Sequence, residues 1–157
     1  DIEHIDSFHT NALKKDDLKK EWITTAFEDR KNYLSEEEKT TIESKMENKD
    51  YDSVIDILKK NAGETEVDED IKNGIGNLTL LDSETNRSYG NSLFCTKRRI
   101  IIDRIKQGVF VPVATQYIFS KFYDEKGTNR SVWTREDMEA YQKYIVKMLS
   151  EYLPENN

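Results

Sequence analysis

The sequence predicts a mainly α-helical domain with a small β element, and three observations point there. Apolar residues recur at helical spacing, as in Leu18, Trp22, Ile23 and Ala26, or in Met138, Tyr141, Ile145, Met148 and Tyr152. Paired helix-start signals precede two such regions, Ser35 with Glu38 and Thr134 with Asp137. Strand character is confined to Asp1-Ile2-Glu3-His4-Ile5, which alternates, and to Gly76-Asn77-Leu78-Thr79-Leu80-Leu81, bounded by Gly before and Asp82-Ser83 after.

In chain order, the first strand is followed by a helix that Asp16 or Asp17 caps. A polar helix then runs from the Ser35 box to about Asn48, and a third from about Asp52 to Asn61, with Val54, Ile55 and Leu58 inward and Gly63 as its stop. Residues 64–74 are acidic, close on Asn73-Gly74 and read as a loop before the second strand. From Asn86 the pattern turns helical up to Gly108, carrying Leu93, Phe94, Ile100, Ile101 and Ile105. Pro112 interrupts the apolar stretch Val109 to Val113, so an extended turn should lead into a short helix with Tyr117, Ile118 and Phe122. Lys126-Gly127-Thr128-Asn129 reads as a loop, and the spacing after Thr134 reads as a packing seam.

Several classes fall away on composition. The 157 residues fit one domain, or a domain carrying an insertion. No apolar run approaches the ~18 residues of a membrane span, and no signal-peptide pattern is present. The single Cys95 cannot close an internal disulfide, and two histidines, His4 and His9, cannot build a Cys/His zinc cluster. The expectation is a cytoplasmic protein, with Asn77, Asn86 and Asn129 matching the glycosylation pattern by chance. The chain opens at Asp1 without Met, which reads as part of a longer protein. Gly90-Asn91-Ser92-Leu93-Phe94-Cys95-Thr96-Lys97 lacks the glycine before lysine that a phosphate loop needs.

The net charge of −7 hides an uneven distribution. Residues 1–85 carry 12 Lys/Arg against 23 Asp/Glu, residues 86–135 carry 10 against 3, and residues 136–157 carry 2 against 5. A basic middle in an acidic chain is what a localised phosphate-contacting surface would look like, and equally what a solvated helix face would look like.

An acidic residue directly before His4 on one strand, Asn77 on a second strand, and Asn86 nine residues later at the start of a helix together resemble the HNH (ββα-metal) motif. The wider match is similar to the HNH domain of GmrSD-type nucleases. It takes in Asn86-Arg87-Ser88-Tyr89, Lys97-Arg98, Gly108-Val109-Phe110-Val111-Pro112 and Trp133-Thr134. Three departures stand out, one being Asp6-Ser7-Phe8 where the family often shows a Pro or Gln after the strand. The third position is often His in the family and is Asn86 here, and about 70 residues separate His4 from Asn77. The resemblance therefore implies a ββα core from 1–5 and 75–107, a helical insertion over about 13–70, and C-terminal helices over about 113–153.

The resemblance implies a metal-dependent DNA endonuclease of bacterial restriction or anti-phage defence. Its substrate would be modified phage DNA, with a ParB-like nucleotide-binding domain N-terminal to it in the full-length protein. Phosphodiester hydrolysis needs an activated water and stabilisation of the leaving oxygen. His4 is the candidate general base, since neutral imidazole accepts a proton near pH 7. Glu3 and Asn86 are the candidate ligands of one Mg²⁺ or Mn²⁺, with Asp1, two residues from Glu3 on the same strand face, as a further ligand. Asn77 is expected to hold the loop between strand and helix through side-chain to backbone hydrogen bonds. Arg87, Lys97 and Arg98 are the candidate DNA contacts. The alternative is a catalytically silent nucleic-acid or protein-binding module on the same fold.

Overall fold

The computed structural model describes residues 1–6, 13–64, 67–85, 90–121 and 131–152. Strand β1 (Ile2–His4) pairs antiparallel with β2 (Leu78–Leu80), in the register Ile2 to Leu80, Glu3 to Thr79 and His4 to Leu78. Between the strands come α1 (Asp16–Arg30), α2 (Glu36–Glu47), α3 (Tyr51–Asn61) and the short α4 (Glu69–Lys72); α5 (Phe94–Lys106), α6 (Val113–Ser120) and α7 (Arg135–Met148) follow β2. The architecture is mainly helical with a two-stranded ribbon, as the sequence predicts. No helix among the described residues is long and apolar enough to cross a membrane.

The capping signals are realised at two helices. Ser35 and Glu38 form a reciprocal capping box on α2, and Thr134 and Asp137 form another on α7. Helix α1 begins at Asp16 itself with Lys15 as its cap residue, so neither Asp16 nor Asp17 caps it, and both lie in the first turn, where acidic charge suits the helix dipole. Helix α3 ends with Gly63 at φ +70°, its N–H on Lys60 O and the Glu64 N–H on Lys59 O. This Schellman arrangement favours glycine in the left-handed position.

Four expectations are corrected. Residues 64–74 are not all loop, because Asp68 starts α4 and a 3₁₀ turn follows at Ile75–Asn77. The second strand is therefore shorter than Gly76 to Leu81. A Cβ on Gly76 would lie 2.1 Å from Met138 O, so this backbone packs directly on α7 and turns instead of extending. The long helix starts at Phe94, after a turn through Gly90, and residues 86–89 lie outside the described residues; a separate helical turn at 83–85 is capped by Asp82, whose Oδ1 accepts from Glu84 N and Thr85 N. The α7 seam is packed through Ile145 and no further: Met138 and Tyr141 are buried and Ile145 is partly buried against the second cluster, whereas Met148 and Tyr152 are exposed.

Two apolar clusters form. Trp22, Ile23, Ile42, Val54 and Leu58 of α1–α3 fill the first together with Leu93, and Ile5, Leu81, Phe94, Ile101, Phe119 and Trp133 fill the second, beneath the ribbon. Adjacent residues Leu93 and Phe94 belong to different clusters, so the first turn of α5 joins the two. Arg30, buried at the end of α1, adds a polar clamp. Its guanidinium donates to Asn61 Oδ1 (3.0 and 2.8 Å), Asn61 O (2.6 Å) and Ser131 Oγ (3.2 Å), and lies over the Tyr33 ring. In the second cluster Lys121 Nζ donates to both carboxylate oxygens of buried Asp137 (2.9 and 2.8 Å) and faces the rings of Phe94 and Trp133.

Candidate functional site

The ribbon sets which way each candidate residue faces. Successive strand side chains point to opposite faces. Glu3 lies opposite Thr79, which is buried and bonded to Thr115 Oγ1 (3.0 Å), so Glu3 is on the face turned toward the helices. His4 lies on the other face, with Leu78 and the exposed pair Ile2 and Leu80. Glu3 and His4 therefore leave β1 in opposite directions, from adjacent positions of a narrow two-stranded ribbon.

His4 is half-buried, and its Nε2 sits 3.1 Å from Asn73 Oδ1. An amide oxygen can only accept, so the ring presents an Nε2–H to it and leaves the Nδ1 lone pair unengaged by this bond. Asn73 follows α4, in the stretch the sequence reads as loop, and no sequence signal connects it to a histidine 69 positions away.

Asn77 is completely buried in the 3₁₀ turn before β2. Its Oδ1 accepts from Asp6 N (2.9 Å) and its Nδ2 donates to Asp6 O (2.9 Å) and Lys72 O (2.9 Å). The expected side-chain to backbone hydrogen bonds are therefore present, but they tie the end of β1 to the end of α4 and do not span a strand–helix loop.

Lys97 is not at the surface. It is fully buried on α5, and its Nζ donates to the backbone carbonyls of His4 (3.2 Å) and Ile5 (3.0 Å), holding the strand that carries the histidine. Its expected part as a phosphate contact gives way to this anchoring, because an enclosed ammonium cannot reach a DNA backbone. Burial pushes its pKa down to about 7 against the opposing pull of Asp6, Glu64 and Glu3. Glu64, at the end of α3, is the other half of this interior charge group. Burial, reinforced by Asp6, raises its carboxyl to about 8, and its Oε1 is enclosed without a hydrogen-bond partner.

Among the described residues, five cations of the basic middle are committed to contacts within the chain, Lys97 among them. Arg98 Nε donates to Phe119 O (2.8 Å), Arg99 forks onto Asp29 (2.7 and 3.2 Å), Arg104 faces Glu84, and Lys121 is sealed against Asp137. Arg98 remains half-buried on α5. Asn86 and Arg87, the candidate ligand and DNA contact, and His9 lie outside the described residues.

Asp1 and Glu3 place two carboxylates on one strand face, with the Asp1 backbone joined to Leu81 through its amino group (2.8 Å) and its carbonyl (3.0 Å). Among the described residues no three His, Cys, Asp or Glu side chains come together to hold a metal ion. Mg²⁺ commonly takes one or two protein carboxylates and fills its remaining positions with water and phosphate, so a pair of hard oxygen donors suits it.

The chain matches a known family. The family described as GmrSD restriction endonucleases, C-terminal domain, covers residues 9–148, opening after the strand that carries Glu3 and His4. No curated protein and no solved structure matches the chain.

Proposed function

Because the chain belongs to the family of GmrSD restriction endonuclease C-terminal domains, we propose that it hydrolyses DNA phosphodiester bonds with His4 as general base. The observation that carries this reading is the His4 imidazole on the outer face of the ribbon, one ring nitrogen held by Asn73 and the other left to take a proton. Backbone anchoring by Lys97 from below and Asn77 from the side keeps that imidazole in place.

Glu3 and Asp1, with Asn86, would hold one Mg²⁺ or Mn²⁺. When bound, the cation would stabilise charge on the phosphate and leaving oxygen. DNA would be contacted through Arg98 and Arg87; Lys97 has no part in it. The substrate we propose is modified phage DNA, cut in the cytoplasm by a longer protein with an N-terminal ParB-like nucleotide-binding domain. Division of the chain into a ββα core, an insertion over about 13–70 and C-terminal helices belongs to the same proposal. The two apolar clusters support it, the first lying wholly within α1–α3 apart from Leu93 and its neighbours.

A plasmid-nicking assay with Mg²⁺, Mn²⁺ and EDTA tests the reading. His4→Ala should cost about 10²–10⁴-fold in rate while leaving the melting temperature unchanged. Full activity of His4→Ala at saturating Mn²⁺ would remove the histidine from the mechanism. Nicking that survives chelation would remove the cation. Absence of nicking by the wild-type chain would favour the silent binding module.

A further inference from the structure

Asn77 and Asn73 act on two segments that must be held against each other. The chain leaves the strand carrying His4 through Ile5 and Asp6, and both the N–H and the C=O of Asp6 are bonded to the Asn77 amide. The helix preceding Asn73 ends at Lys72, whose C=O is bonded to the same amide. One buried side chain thereby registers the backbone two residues after His4 against the backbone one residue before Asn73. The α4 end is further fixed by Asn73 N donating to Glu69 O (2.9 Å) and by Gly76 packed on Met138 O. A contact between exposed side chains would ordinarily be loose; here both of its backbones are pinned within a residue or two.

Building on the nuclease reading above, we infer that Asn73 is a positioning residue for His4: its amide oxygen accepts the Nε2–H and so presents Nδ1 to the attacking water. Asn73 touches neither substrate nor metal in this arrangement. It acts through the imidazole, fixing which nitrogen carries the proton and which way the ring faces.

The test uses the whole chain and three variants. Asn73→Ala should lower kcat by roughly tenfold or more, a part of the 10²–10⁴-fold that a general base supplies, with KM and melting temperature within error of wild type. Asn73→Asp keeps an acceptor oxygen at the same reach and should recover most of that rate, which a packing role would not produce. Asn73→Leu fills the space without an acceptor and should behave as Ala does. Ring-nitrogen NMR reads the contact without any DNA, because the chain has only His4 and His9. In wild type and Asn73→Asp the His4 Nε2 should be protonated and hydrogen-bonded; in the Ala and Leu variants that signature should be lost. Equal kcat in wild type and Asn73→Ala, or an unchanged His4 ring spectrum, overturns the inference. A fall in kcat matched by an equal fall in melting temperature, without rescue by Asp, overturns it too. Failure of the nuclease reading shows separately, as an active His4→Ala beside an intact wild-type ring spectrum.

Discussion

Replacing Glu64 with glutamine should change the pH dependence of stability, not lower stability at every pH. The carboxyl rises from 4.5 to about 8 because it is buried beside Asp6, with one oxygen unbonded. Between those two values the folded chain keeps a proton that the unfolded chain has released, so stability falls as pH rises through the window. At about 1.4 kcal/mol per pH unit, the ceiling on that loss is about 5 kcal/mol, a large share of the ~5–15 kcal/mol that holds a domain folded. Lys97 acts in the opposite sense higher up. Its pKa drops from 10.5 to about 7, so above 7 the unfolded chain holds the extra proton and stability recovers with pH. Wild type should therefore be least stable near pH 7–8. Glutamine mimics the protonated acid and carries no proton to lose. The melting temperature of Glu64→Gln should match wild type near pH 5 and exceed it near pH 8. Even half the ceiling would amount to about 5–10 °C for a chain of this size. Thermal melts at half-unit steps from pH 5 to 9 give the answer. Parallel curves for the two proteins across pH 5–8 would show that Glu64 is ionised and solvated in the folded state, and would refute the reasoning.

Gly76→Ala should be among the most damaging single changes in the chain, because its new methyl would meet the Met138 carbonyl at 2.1 Å and neither side of that contact is a flexible side chain; soluble yield and melting temperature will both drop if the packing is as described. Lys121→Met should cost about 3–5 kcal/mol by leaving Asp137 charged and buried without its counter-ion, and the double variant with Asp137→Asn, which keeps an oxygen for the Thr134 N–H, should recover part of it in a denaturant titration.

The legible parts of this fold were those decided by neighbours in sequence. Both capping boxes, the stop at Gly63 and the first strand follow from residues three or four apart, where helix and strand geometry act directly. Asn77 was read as a scaffold from the motif it resembles, on a strand and beside a strand–helix loop, and nothing in the sequence said that it would sit in a turn and join Asp6 to Lys72. The second strand was read too long because nothing in Gly76-Asn77 announces that α7 lies against it. Asn73 was missed for the same reason, its partner being 69 residues upstream. The basic stretch misled most. Charge counting treats each cation as solvated, but Lys97, Arg99 and Lys121 find acceptors on β1, α1 and α7, and only folding brings those acceptors near.

The Arg30 clamp has a mechanical meaning that its neighbours lack. Amide, carbonyl and hydroxyl oxygens receive its hydrogen bonds, and no carboxylate takes part in any of them. A guanidinium does not deprotonate in proteins, and its partners here have no charge to be titrated away. Bonds of this kind are enclosed and neutral on one side, so added salt finds little to screen. Acid and alkali, which act on the Glu64 and Lys97 group, should leave this rivet between the end of α1 and Ser131 as it is. When the chain is brought to its least stable pH, the strain should open around the ribbon while α1 and α3 stay fastened.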